Sequence, residues 1–298
     1  MRCATIGQSD PHSGMSDTRP SPIAGTWYPG DAEALARSVD KQLAEADPKP
    51  PPGAVVGLIA PHAGHRYSGA VAARAFRVVS GATPDCVAIL SPMHHPSDGA
   101  VLSTAHDAYW TPLGEVEVDK ELLAAFEADL LSRSGIPLVR VSHDQEHSLE
   151  IELPFLQRTL ASPFRILPIM LRDQSQRVAE AVGHALAAVL RGRSALIVAS
   201  SDLSHFYPGS VARRLDEEML ARLQAFDPEA VMRAEDEGVG FACGKAALAA
   251  ALWAARDLGA TSVQLRGYAH SGDVTGDDES VVGYGAAAIY RSSGKVRA

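Results

Sequence analysis

The sequence predicts an α/β protein: a single-domain sandwich in which helices flank a mainly parallel or mixed central sheet. Three observations carry this prediction. Residues 54–60, 86–92 and 194–201 are short, nearly continuous apolar runs, the length of strands buried on both faces and too short for helices. Between them lie stretches of helical length whose apolar residues recur every three or four positions. No Pro-, Gly- or Ser-rich segment long enough to separate two domains interrupts the alternation.

Residues 1–22, rich in Ser, Asp, Pro and Gly and lacking the apolar core of a signal peptide, read as a disordered tail ahead of one domain over 23–293. Met1 and Met15 both stand open as the first residue. Trp27 and Tyr28 read as anchors of the N-terminus on the core, in preference to lining a pocket. Asp31 is placed to cap a helix through about Ala46, with Leu35, Val39 and Leu43 at helical spacing. The run 48–53, Pro-Lys-Pro-Pro-Pro-Gly, is a short stiff connection into the first strand.

The strand at 54–60 is stopped by Pro61 and delivers His62, and Gly64 then lets the chain turn closely into a helix expected over 68–80. The strand at 86–92 repeats the arrangement, ending at a proline and delivering Met93, His94 and His95. A short strand at 99–103, a turn-rich connection at 109–114 and an amphipathic helix over about 119–131 follow. Glu146, His147 and Glu150 are expected on one face of an opening helical turn, in a helix that Pro154 should kink. Pro168 inside the strand at 164–171 places that strand near an edge or a bulge. A helix over 175–191 leads to the strand at 194–201, which ends at Asp202-Leu-Ser-His205. Helices at 211–225 and 228–235, a helix after Cys243 reaching Leu258, a strand at 263–268, a polar loop at 271–279 and a strand at 283–290 complete the chain.

A chain of 298 residues with 46% hydrophobic and 21% charged residues has ample material for a core. A net charge of −9 without a basic stripe argues against a nucleic-acid partner. No apolar run approaches the roughly 18–20 residues of a membrane span. Three cysteines, Cys3, Cys86 and Cys243, form no disulfide framework and point to a reducing, cytoplasmic setting.

A parallel sheet gathers its strand ends on one edge, where open α/β folds bind ligands. That edge would collect His62, His94, His95, Glu146, His147, Glu150, Asp202 and His205, with Cys243 ahead of a helix nearby. Each histidine taken alone reads as a satisfied structural residue; their shared placement reads as a site. Two imidazoles and one anionic ligand suit divalent iron, copper or zinc, and the remaining histidine and carboxylates would move protons or orient the ligands. A helix N-terminus favours the thiolate form of Cys243, whereas Cys86, inside a strand, reads as a buried hydrophobe.

The motifs Ala60-Pro-His-Ala-Gly64, Ser91-Pro-Met-His-His95, Glu146-His-Ser-Leu-Glu150 with Leu153-Pro154, Ser200-Ser-Asp-Leu-Ser-His205 and Cys243-Gly244 stand in an order that resembles the Memo-like family. The likeness runs from about Ala24 to Tyr290. It implies the fold of class III extradiol dioxygenases, which use non-haem ferrous iron. Carried over motif by motif, it implies His62, His94 and Cys243 as metal ligands. His205 and Asp202 would line the same pocket, His205 as acid/base; Glu146 and His147 join them as catalytic candidates from the reading of the residues themselves. The bacterial name of the family, AmmeMemoRadiSam system protein B, implies association with a radical-SAM protein. Cys243 stands where the dioxygenases keep a carboxylate, so ring cleavage does not follow from the fold. The leading expectation is an iron-dependent oxidoreductase acting on a small molecule or peptide. A non-catalytic metal- or peptide-binding protein, or a metal-dependent hydrolase with His205 or Glu146 as base, stays open beside it.

Overall fold

The computed structural model describes residues 17–47, 49–50 and 52–292. The described chain enters through a short strand, β1 (Thr18–Arg19), and a helix, α1 (Ala32–Glu45), which Asp31 caps by accepting the Ala34 N–H at 2.8 Å. The first apolar run forms β2 (Gly53–Ala60). The next helix, α2 (His65–Phe76), begins at His65 rather than near Ser68, and a 3-10 turn (Arg77–Val79) ends it. Then come β3 (Cys86–Pro92), buried along its whole length, β4 (Val101–Thr104), β5 (Ala108–Thr111) and β6 (Gly114–Glu117). The expected turn-rich connection at 109–114 is therefore a hairpin, in which Tyr109 is buried and pairs with Val116.

Asp119 caps α3 (Lys120–Ser134), and Gly135 closes it at φ 69°, a left-handed conformation that suits glycine. After β7 (Leu138–Val141), a 3-10 turn (Glu150–Glu152) runs into α4 (Leu153–Thr159). Pro154 lies in the first turn of α4, where a missing N–H breaks no helical bond, so it starts the helix instead of kinking it. The remaining elements are β8 (Arg165–Leu171), α5 (Gln176–Leu190), β9 (Ala195–Ser200), β10 (His205–Tyr207), α6 (Gly209–Gln224), α7 (Pro228–Asp236), α8 (Lys245–Asp257), β11 (Ser262–His270), α9 (Gly272–Thr275) and β12 (Val281–Ser292).

Among the described residues, nine strands form one mixed sheet in the order β10-β12-β2-β9-β3-β8-β4-β7, with β11 also paired to β12. The run β2-β9-β3-β8 is parallel, so these strands end at one edge. β8 lies inside the sheet and not at its edge. Its Pro168 carbonyl accepts the Ser103 hydroxyl at 2.6 Å, and its missing N–H falls on the same flank, beyond the short β4–β8 ladder. Helix α8 packs on β2, β9 and β3 with α5 against it, while α2 packs on β2, β11 and β12 and is contacted by α1 and α4. These helix layers and the sheet make an α/β sandwich. Leu58, Ile59, Ile89 and Leu90 lie almost fully buried at its centre, each contributing about 1.5–3 kcal/mol relative to exposure. Cys86 is buried with them, and burial pushes its thiol up to about 12. No helix among the described residues is long and apolar enough to cross a membrane.

The expectation of a disordered tail through residue 22 is corrected at its end. Thr18–Arg19 pairs in parallel with β5, and Arg19 is buried, with Nη2 2.6 Å from Asp144 and Nη1 2.6 Å from Glu150. A strand this short carries no sequence signal; its pairing with β5 and the fixed guanidinium hold it. Residues 1–16 lie outside the described residues.

Candidate metal centre

The parallel register sets out the site. His62 stands just past β2, His94 just past β3 and Asp202 just past β9, and β9 lies between the other two strands. Cys243 reaches the same place from the segment ahead of α8. Its N–H donates to the Asp202 carbonyl at 3.3 Å, and the Gly244 N–H donates to Ser201 Oγ at 2.9 Å. Gly244 is required there: a Cβ would stand 2.8 Å from the Ser200 carbonyl oxygen and 3.0 Å from the Ser201 side chain.

The donor atoms of His62, His94 and Cys243 all lie within 4.8 Å of one another. His62 Nε2 is 3.2 Å from Cys243 Sγ, and the two imidazole rings are 5.3 Å apart, edge to face. Each ring has its other nitrogen engaged from behind. His94 Nδ1 is 2.9 Å from Glu146 Oε1, and His62 Nδ1 is 3.0 Å from Ser200 Oγ. One ion about 2.0–2.3 Å from each donor needs them within about 4.6 Å of each other, close to the spacing here. Two imidazoles buttressed at Nδ1 and one sulfur fit a soft or borderline transition-metal ion.

The charge states of these groups are set by burial and by their hydrogen bonds. Burial alone would raise the Glu146 carboxyl, but hydrogen bonds from the His94 ring and from the Ser148 and His94 backbone hold it far below the usual range, so it is ionised. Burial and the neighbouring His147 and His94 rings push His62 well below its ordinary value. Burial and the nearby Asp202 push the Cys243 thiol up, so the α8 N-terminus does not by itself produce the thiolate expected from the sequence. A cation binding there must displace the thiol proton. Asp202, raised to about 7 by burial, accepts the His62 N–H at 2.8 Å and the Ala63 N–H at 3.3 Å on Oδ1.

Other expected residues take different places. Asp202 fixes the backbone that carries His62; it does not orient His205, whose Nδ1 donates to the Leu203 carbonyl at 2.7 Å. His205 is packed edge-on to Phe206 and Phe241, and burial lowers its pKa. His147 stacks on His94 at 4.9 Å, and with Glu146 and His94 it forms a second possible ligand group that shares His94. The expected helical turn carrying Glu146, His147 and Glu150 on one face is absent, because residues 144–147 are irregular. Glu150 turns away to Arg19, Ser21 and Tyr28. His95 is exposed and joins neither ligand group. Tyr28 anchors the N-terminal segment as expected, but Trp27, 37% exposed, lies 4.1 Å from the His147 ring and lines the site.

Sequence reasoning passed over Ser148, Glu152 and Ser200, which form a polar layer beneath His62. The only available signal was Glu152 itself, a carboxylate set between Ile151 and Leu153 in an apolar stretch.

Residues 19–288 match the family model described as Memo-like protein. A MEMO1 family protein of Nitrosopumilus maritimus is 39% identical over 272 residues, covering 89% of this chain and 96% of its own. A MEMO1 family protein of Methanothermobacter thermautotrophicus is likewise 39% identical over 272 residues, covering 88% and 96%. The crystal structure of an uncharacterized protein from Escherichia coli K12 superposes with a TM-score of 0.52 at 14% identity, over 78% of this chain and 99% of that one, a likeness of fold.

Proposed function

The chain belongs to the Memo-like family, and from that premise we propose that it is a metal-dependent oxidoreductase. Its ion, ferrous iron foremost with copper and zinc as competitors, would be held by His62, His94 and Cys243. One observation carries the reading: three potential ligands from distant parts of the chain converge within 4.8 Å, with both imidazoles engaged at Nδ1. When bound, such an ion supplies redox and Lewis-acid chemistry.

The chain's own residues supply the rest. Ionised Glu146 fixes His94 through both its ring and its backbone. His205 has Nδ1–H committed to the Leu203 carbonyl, which leaves Nε2 as the atom that takes or returns a proton. Burial keeps that ring neutral near pH 7, as a base requires. His147, stacked on His94, and Trp27, tilted against His147, form one wall of the site, a surface suited to a flat small molecule or a peptide side chain. Cys243 in place of a carboxylate gives the centre a softer ligand than a ring-cleaving dioxygenase has.

Metal analysis of anaerobically prepared protein tests the reading. His62→Ala and His94→Ala should each abolish stoichiometric iron while circular dichroism stays unchanged. His205→Ala should keep its iron and lose oxygen-coupled turnover. Full metal content in both of the first two variants would overturn the assignment.

A further inference from the structure

Ser200, Ser148 and Glu152 are fully buried directly beneath His62. Ser200 Oγ has three polar neighbours: the Ser148 carbonyl at 2.6 Å, Glu152 Oε1 at 2.8 Å and His62 Nδ1 at 3.0 Å. A hydroxyl has one proton to give and two lone pairs to offer. The Ser148 carbonyl can only accept, and it is the nearest of the three, so the Ser200 proton goes there. Both remaining neighbours must then donate to Ser200. Glu152 therefore carries a proton on Oε1, and His62 carries one on Nδ1.

The reverse assignment fails on two counts. If an ionised Glu152 took the Ser200 proton, two oxygens 2.6 Å apart would face each other with no hydrogen between them. It would also bury a full charge whose second oxygen, Oε2, has no hydrogen-bond partner and which no Lys or Arg pairs among the described residues. Burial raises this carboxyl well above its ordinary range, in agreement with the proton count.

We propose that Glu152 is a positioning residue of the metal centre: as a neutral acid it donates to Ser200, which then accepts the His62 Nδ1–H and fixes His62 in the tautomer whose Nε2 lone pair faces Cys243. The two imidazoles are thus set by opposite means, His94 by an ionised carboxylate in direct contact and His62 by a neutral acid acting through a hydroxyl. The tautomer follows from the polar layer alone, while its effect on metal affinity rests on the metal-binding reading above.

The test uses the full-length metal-free protein, labelled with 15N-histidine and compared with Glu152→Gln and Glu152→Leu. Long-range proton–nitrogen spectra, with the His62 signals assigned from their loss in His62→Gln, should show Nδ1–H in the wild type and in Glu152→Gln, whose amide can still donate. Glu152→Leu should lose that preference. Infrared spectra of the wild type should show the carbonyl stretch of a protonated carboxyl that Glu152→Gln lacks. Anaerobic titration with ferrous iron should give Glu152→Gln an affinity within about threefold of wild type, and Glu152→Leu one weaker by about 10–100-fold. An Nε2–H tautomer of His62 in the wild type, or an ionised Glu152, overturns the proposal even if iron binds. The wild-type spectra decide this should Glu152→Leu not fold. Nδ1–H in a protein that takes up no iron leaves the tautomer assignment standing and removes the metal-binding reading.

Discussion

Glu146 grips His94 twice: Oε1 lies 2.9 Å from the ring Nδ1, and Oε2 accepts the backbone N–H of the same residue at 2.5 Å. The carboxylate therefore sets both the position of the residue and the rotation of its ring. Glu146→Gln keeps the shape and removes the charge. We expect ferrous iron affinity to fall by about 10–100-fold, with the circular dichroism spectrum unchanged. Anaerobic iron titration checks this, and affinity equal to wild type would remove Glu146 from the support of His94.

Cys243 is the residue at which packing and ligation predict different results. Cys243→Ser changes volume little, so as a packing change it should barely move thermal melting. As a ligand change it exchanges a soft anion for a weak hydroxyl donor, and iron affinity should drop by at least about tenfold. Melting and iron titration on the same two proteins separate the cases: an altered melting point with equal iron affinity would make Cys243 a core residue only.

Arg19 is buried between Asp144 and Glu150 and also donates to the Glu146 carbonyl at 2.7 Å. Removing it leaves two carboxylates buried without their cation. Arg19→Ala should cost about 3–5 kcal/mol in urea unfolding. It should also weaken metal binding, because the same segment carries Glu146. A loss below about 1 kcal/mol, the range of an exposed pair, would contradict this account of the contact.

His65, on α2, is buried against Phe155 with its Nδ1 unpartnered, and burial lowers its pKa to about 4 from an ordinary 6.5. Between those values the unfolded chain binds a proton that the folded chain refuses. The stabilisation is therefore complete above about pH 6.5 and is lost as the pH falls toward about 4. By pH 4.5 the His65 share of the loss should reach about 2–3 kcal/mol. His62 and His147 are also lowered, so the measurement is a difference: wild type minus His65→Gln, in urea, at pH 7.5 and 4.5. A difference independent of pH would rule out the burial of a neutral His65 as the cause.

What could be read from the sequence follows the range of the interactions. The interior strands β2, β3 and β9 were legible because burial on both faces writes a continuous apolar run, and α1 because Asp31 and its stripe of Leu35, Val39 and Leu43 are local signals. The hairpin β5–β6 was hidden by Pro112 in its turn and Gly114 at the start of β6, and β1 by its dependence on a partner 90 residues away at Thr18↔Ala108. Pro168 suggested an edge because periodicity does not record which flank of a strand still has a ladder. In the site, the histidines were visible at the strand ends. The layer beneath them was not: Ser200 and Glu152 are 48 positions apart, and Ser200 and His62 are 138 apart.

The three proposed ligands stand at positions 62, 94 and 243, and the last comes from the segment ahead of α8, after the whole parallel run β2-β9-β3-β8 has been laid down. During synthesis, a chain that has emerged only through β8 presents the imidazoles of His62 and His94 without the thiol of Cys243. It lacks β9, which separates β2 from β3, and so lacks the spacing between those imidazoles. The centre is thus complete only in a finished, fully threaded sheet, and a ribosome-bound or truncated chain offers a redox-active ion no closed seat. On the proposed metal-binding reading, uptake of the ion would be one of the last events in the maturation of the protein, and its loss one of the first signs that the sheet has come apart.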